Sequence, residues 1–269
     1  MTQGVPGHLV RSVFPDSSGN PILSTSTYRT TWQSPFKERW GGWYVSGTHG
    51  HQRHMGNMIV KNTREPEAFD AGANVTDLSK LINVEPYITP HSNIVALLVL
   101  EHQSPAHNGL TLANYQAKLA LGDEDILRKI DKDPNSPRTE GIQRRLDHSA
   151  DLVLKHLLFF DETPLTDRVQ GTSGFAEQFA QRGPRDKRGC SLRDFTQQSR
   201  IFQYPCSYLI YSAAFDGFPT ELKKIVYRKL HDVLTGQDQS PKYKHLSATD
   251  REALLEIVLD TKRDFPESW

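Results

Sequence analysis

From Asn74 onward the apolar residues of this chain recur at helical spacing, whereas residues 1 to about 70 show no sustained 3.6-residue period. Asn74-Val75-Thr76-Asp77-Leu78 opens a short helix, and Thr89-Pro90-His91-Ser92-Asn93 precedes a long apolar-periodic segment reaching about Leu121. Arg138 to Phe160 carries Ile142, Leu146, Leu152, Val153, His156 and Leu157. Thr220 to Leu234 carries Leu222, Ile225, Val226, Leu230 and Leu234. Ser247-Ala248-Thr249-Asp250 caps a last helix through Leu254, Leu255, Ile257 and Val258. Gly122 to Pro137 and Arg182 to Ser191 read as polar connectors.

The first seventy residues are rich in Gly, Pro, Ser, Thr and Asn, with a turn signal at Pro15-Asp16-Ser17-Ser18-Gly19-Asn20-Pro21. Leu9 to Phe14 and Tyr28 to Trp32 alternate enough to pair as a small hairpin. The expected class is mainly α: an irregular Gly/Pro-rich N-terminal arm, residues 1–70, wrapped on a helical bundle, residues 71–269, the two forming one structural unit.

Composition narrows the function classes. Basic and acidic side chains balance at 32 each, so no strong positive field draws the chain to nucleic acid. The longest clean apolar run, Ile94 to Leu100, is too short for a transmembrane segment. No charged region followed by an apolar stretch marks an export signal in this numbering, and the Gly/Pro-rich strip after Met1 reads as a start within a longer protein. The two cysteines, Cys190 and Cys206, form no Cys-x-x-Cys pair, which leaves one disulfide or two free thiols.

Chemistry concentrates in Arg39 to Asn57, where three histidines, one methionine, five glycines and three aromatic rings fall together. Neutral imidazole and thioether are ligands for transition metals and haem iron, and glycine lets backbone approach a bulky planar group. In a loop, His49, His51, His54 and Met55 can converge; the competing reading is imidazoles satisfied by backbone hydrogen bonds in a Trp-packed segment. On the long helix, Glu101 and His102 directly follow an apolar run, so at least one enters the interior and needs a partner there. His102 and His107 stand about 140° apart around an ideal helix, and Pro105 supplies a distortion between them. His148 and Asp151 share a helix face as an imidazole-orienting pair or an exposed one. No His-Glu-x-x-His, Glu-x-x-His or phosphate-cradling glycine loop occurs, and Gly171-Thr172-Ser173-Gly174-Phe175 lacks nucleophile-elbow spacing.

The strings Glu38-Arg39-Trp40-Gly41-Gly42-Trp43-Tyr44-Val45, Gly47-Thr48-His49-Gly50 and Arg53-His54-Met55-Gly56-Asn57 resemble a bacterial family of cytochrome c-like proteins. So do Leu100-Glu101-His102-Gln103 with His107-Asn108, Gly174-Phe175-Ala176-Glu177 with Arg182-Gly183-Pro184-Arg185-Asp186, and Arg200 to Tyr211. The resemblance runs from about Thr2 to Trp269. It implies haem c attached through a Cys-x-x-Cys-His segment upstream of the strip matching Thr2 to Gly7, a motif this sequence does not contain. It carries over His49, His54, His102 and His107 as ligand or haem-pocket positions, while His51 and His156 stand outside the pattern and Pro105 is unusual in it. Trp40, Trp43 and Tyr44 then pack on the macrocycle, and Met55 is an alternative axial ligand. The implied function is a periplasmic, haem-associated redox module, electron-transferring or peroxidase-like, meeting a redox partner protein or a small-molecule substrate. Two readings stand beside it. One is a haem-free metalloenzyme, hydrolytic or oxidative, in which two or three of His49, His54, His102 and His107 hold zinc or iron, with Glu101 as general base or additional ligand and Glu101 and His102 as the catalytic pair. The other is a non-catalytic helical interaction module without a cofactor.

Overall fold

The computed structural model describes residues 5–60 and 73–266. The expected boundary at residue 70 lies outside the described residues. Helices dominate: α1 (Ile94–Asp131), α2 (Glu140–Leu157), α3 (Phe175–Gln181), α4 (Ala213–Asp216), α5 (Thr220–Leu234) and α6 (Ala248–Thr261). Four two-residue strands, β1 (Arg11–Ser12), β2 (Tyr28–Arg29), β3 (Gly47–Thr48) and β4 (Gln170–Gly171), make two antiparallel pairs, β1 with β2 and β3 with β4. The first pair aligns Arg11 with Arg29 and Ser12 with Tyr28, inside the two segments whose alternation predicts a hairpin.

Apart from α3, which starts at Gly174 without a side-chain cap, each α-helix begins on a side-chain acceptor or a proline-defined entry. Asn93 takes the Val95 and Ala96 N–H groups at 2.9 and 3.3 Å, and Ser247 and Asp250 form a reciprocal capping box on α6. The helix expected from Asn74 is a single 3-10 turn, Leu78–Lys80, capped by Asp77. In α1 the helix runs ten residues past Leu121, through the stretch read as a connector. Glu124 turns inward there and accepts from Arg128 at 3.1 Å and from Arg138 at 2.8 and 3.0 Å, so an acidic sequence is neutralised in helical register.

The core is built on α1 against α2. Ala106, Leu110, Ala113, Ala117 and Ala120 face Ile142, Leu146, Ala150, Val153, Leu154 and Leu157, all buried, and small residues let the two axes approach. Gly109 sits where the His156 ring rests on α1; a Cβ there would overlap the ring. α5 covers the other side of α2 with Leu222, Ile225, Val226, Leu230, Val233 and Leu234.

The N-terminal segments reach into this core. Trp32 is buried, and its indole N–H donates to the Phe160 carbonyl at 2.9 Å. Arg39 lies inside against Glu101. His8 is clipped to α1 by Asn108, which accepts its N–H at 2.8 Å and donates to its carbonyl at 2.7 Å. Among the described residues no helix is long and apolar enough to cross a membrane. Cys190 and Cys206 are both free thiols, and burial pushes the Cys206 thiol up to about 12.

Candidate functional site

The glycine-rich segment is a loop pinned at several points. β3 holds Gly47 against Gly171, and Gly47 has φ +153° where a side chain would collide with Ile94. The Asn57 amide clamps Val45, accepting its N–H and donating to its carbonyl, both at 2.7 Å. The Asn57 N–H donates to the Trp43 carbonyl at 2.8 Å and the Met55 N–H to the Arg39 carbonyl at 2.9 Å. Met55 is buried with its sulfur accepting from the Ser12 hydroxyl at 3.6 Å.

This loop brings His49 and His54 together, ring centroids 4.7 Å apart and inclined at 60°. Trp40 stands edge-on to His54 at 5.1 Å, and Phe36 flanks all three rings. Both imidazoles are buried. Nδ1 of His54 accepts the Gly56 N–H at 2.9 Å, and burial lowers its pKa to about 3. Nε2 of His49 accepts the Asn74 N–H at 3.0 Å, and burial lowers its pKa too. A neutral imidazole has one lone pair, and in each ring a backbone N–H already occupies it. As placed, neither ring offers a nitrogen to iron or zinc, so the pair does not fit axial ligation.

The remaining candidates go elsewhere. Glu101 is fully buried and pairs with Arg39 at 2.7 Å; burial raises its carboxyl against the opposing pull of the guanidinium. His102 is buried with Nε2 3.1 Å from Glu162, stacked near Trp32 and edge-on to Phe159 and Phe202. Its Nδ1 has no hydrogen-bond partner among the described residues. His107 is half-buried against the His8 ring, centroids 5.4 Å apart. No ring contact among the described residues joins His49 or His54 to His102 or His107. Nor does any group of three or more His, Cys, Asp or Glu there have metal-holding geometry. His51 is exposed beside Asp167. Asp151 faces Lys229 at 3.0 Å instead of His148.

Trp43 and Tyr44 occupy a different setting. With Leu78, Ile82, Val84, Pro86, Tyr87, Ile88, Pro90 and His91 they line an open groove of about 480 Å³. The Trp43 indole N–H is held by the Arg11 carbonyl at 2.7 Å, which fixes the ring at the groove wall. Tyr87 is 61% exposed, and Ile88 has no protein cover at all. The His91 ring has no partner among the described residues, and its backbone N–H donates to the Thr89 hydroxyl. Tyr87, Ile88 and His91 follow no local pattern that joins them to Trp43; only the backbone path before α1 does so. Trp32, Phe159 and Glu162 are equally invisible as neighbours of His102.

Compared with family models, with curated proteins and with solved structures, the chain finds no match.

Proposed function

We propose that this chain is the helical body of a haem-associated redox module of the cytochrome c-like kind, electron-transferring or peroxidase-like. The observation that carries the reading is the groove, where Trp43 and Tyr44 meet Tyr87, Ile88, Pro90 and a half-buried imidazole, His91. Its volume lies in the range of small-molecule and cofactor sites, about 300–1,000 Å³. Apolar and aromatic walls with one available imidazole suit a planar macrocycle bearing iron, which supplies one-electron exchange when bound. In this reading residues 1–70 act as an arm wrapped on the bundle. His49 and His54 stiffen the loop that presents Trp43 and Tyr44, and His91 takes the ligand role expected of them. Haem c attached through a segment this sequence does not contain, and a periplasmic setting with a redox partner or small-molecule substrate, complete the proposal.

Titration of the purified chain with haemin tests it. A red-shifted, saturable Soret band is expected, weakened in Tyr87→Ala and altered in position in His91→Ala. Absence of any Soret change in the wild type removes the reading, and an unchanged spectrum in His91→Ala removes His91 from it.

The tied lone pairs of His49 and His54 favour one second reading, a non-catalytic interaction module in which the same groove seats a partner. The haem-free zinc or iron alternative rests on the unpartnered Nδ1 of His102, and elemental analysis of dialysed protein reads it directly.

A further inference from the structure

The distal half of α1 has a face that none of the described residues covers. Ala113, Ala117, Ala120 and Glu124 turn inward. On the opposite side Tyr115, Leu119, Ile126 and Ile130 are 50%, 47%, 55% and 68% exposed. At 3.6 residues per turn these four fall within an arc of about 60° and extend about 22 Å along the axis. Gly122 lies on the same stripe, with open space where its side chain would stand.

The order of these residues is symmetric. Tyr115 and Ile130 are equally distant from the midpoint between Gly122 and Asp123, and so are Leu119 and Ile126. Laid antiparallel on itself about that point, the stripe meets Tyr115 with Ile130 and Leu119 with Ile126. Gly122 sits at the crossing, where the helices approach most closely. This is the self-complementarity a two-fold interface requires, since each contact must recur with the partners exchanged. The flanking charges agree. Lys118 and Asp125 lie along the same edge of the stripe, both exposed and outside any ion pair among the described residues. In the antiparallel arrangement like edges meet, so Lys118 of one copy faces Asp125 of the other, twice by symmetry. On the other edge, Leu119 borders a cleft of about 460 Å³ with Gln116, Gly141, Arg144, Arg145 and His148, toward which the second copy's Leu127 is directed.

We propose that the chain forms an antiparallel two-fold dimer through the distal half of α1, with a second copy of itself as the occupant of this face. Sedimentation velocity of the whole chain over a concentration series tests the state. Reversible dimerisation is expected, lost in Leu119→Glu and in Ile126→Glu with helix content by circular dichroism unchanged, because both side chains are already in solvent. Lys118→Glu weakens the dimer about tenfold, and adding Asp125→Lys restores it. Cross-linking tests the direction in a Cys190→Ser background, with Cys206 sealed in the core. Gly122→Cys is expected to oxidise to a dimer by itself, and Tyr115→Cys only when mixed with Ile130→Cys. A monomer at every concentration, a dimer indifferent to Ile126→Glu, or self-cross-linking of Tyr115→Cys overturns the proposal.

Discussion

Arg39 donates to Glu101 across 2.7 Å of protein interior, joining the N-terminal segment to the first quarter of the long helix at a point neither side shares with water. The same guanidinium also donates to the Ser34 carbonyl at 3.1 and 2.7 Å and to the Trp32 carbonyl at 3.2 Å, four hydrogen bonds with the one to Glu101. Removing one member strands the other charge. Arg39→Ala is expected to destabilise the chain by about 3–5 kcal/mol in urea denaturation. The double replacement Arg39→Met with Glu101→Leu is expected to recover most of that loss, because two desolvated charges are then replaced by apolar volume.

The buried imidazole of His54 makes stability depend on pH with a defined sign. Its pKa of about 3 lies below the value near 6.5 in the unfolded chain, so the unfolded state binds the proton first. The stabilisation is complete above pH 6.5 and is lost as pH falls toward 3. Between pH 7 and pH 5 it amounts to about 2 kcal/mol. His54→Asn keeps an acceptor for the Gly56 N–H without the titration, so the pH slope of its unfolding free energy should be shallower by that amount. His156, lowered to about 4 by burial, adds a parallel contribution that the His54 variant leaves in place.

Gly109 provides a test of how closely α1 and α2 pack. Gly109→Ala drives a methyl group into the His156 ring and should cost about 1–3 kcal/mol, despite the better helix propensity of alanine. Thermal denaturation of the pair Gly109→Ala with His156→Ala should show less loss than the sum of the singles, since the two residues are in contact.

The carboxylate of Glu124 ties the last ten residues of α1 to Arg138, ahead of α2. Hydrogen bonds from Arg138 hold its carboxyl below the usual range, so this support is present above about pH 4.5 and lost as pH falls. Arg138→Ala is expected to lower hydrogen-exchange protection of the 122–131 amides roughly tenfold, with α5 unaffected.

These relations divide by how local they are. The α5 pattern from Leu222 to Leu234 and the Ser247–Asp250 box lie within one stretch of chain, and their periodicity and capping residues predicted them directly. The Gly122-Asp123-Glu124-Asp125 run misled because its exposed face and its glycine look like a connector. The arginine that neutralises Glu124 is fourteen positions away. The histidine cluster was legible as a cluster, and the partner of each ring was not. Gly56 is a backbone donor, which leaves no side-chain trace, and Asn74 arrives from beyond the described loop. His91 and Tyr87 join Trp43 only through the path of the chain before α1, a relation periodicity does not encode.

The bond from the Trp32 indole to the Phe160 carbonyl spans 128 positions, and at about 5–20 residues per second of synthesis that separation amounts to roughly 6 to 25 s. During that interval on the ribosome Trp32 and Arg39 have left the exit tunnel while the helices that enclose them do not yet exist. The nascent chain therefore presents its most apolar and most heavily paired N-terminal residues to the cell before they can be sheltered. Slower translation, or a chaperone that covers this segment, is therefore expected to change the yield of folded protein.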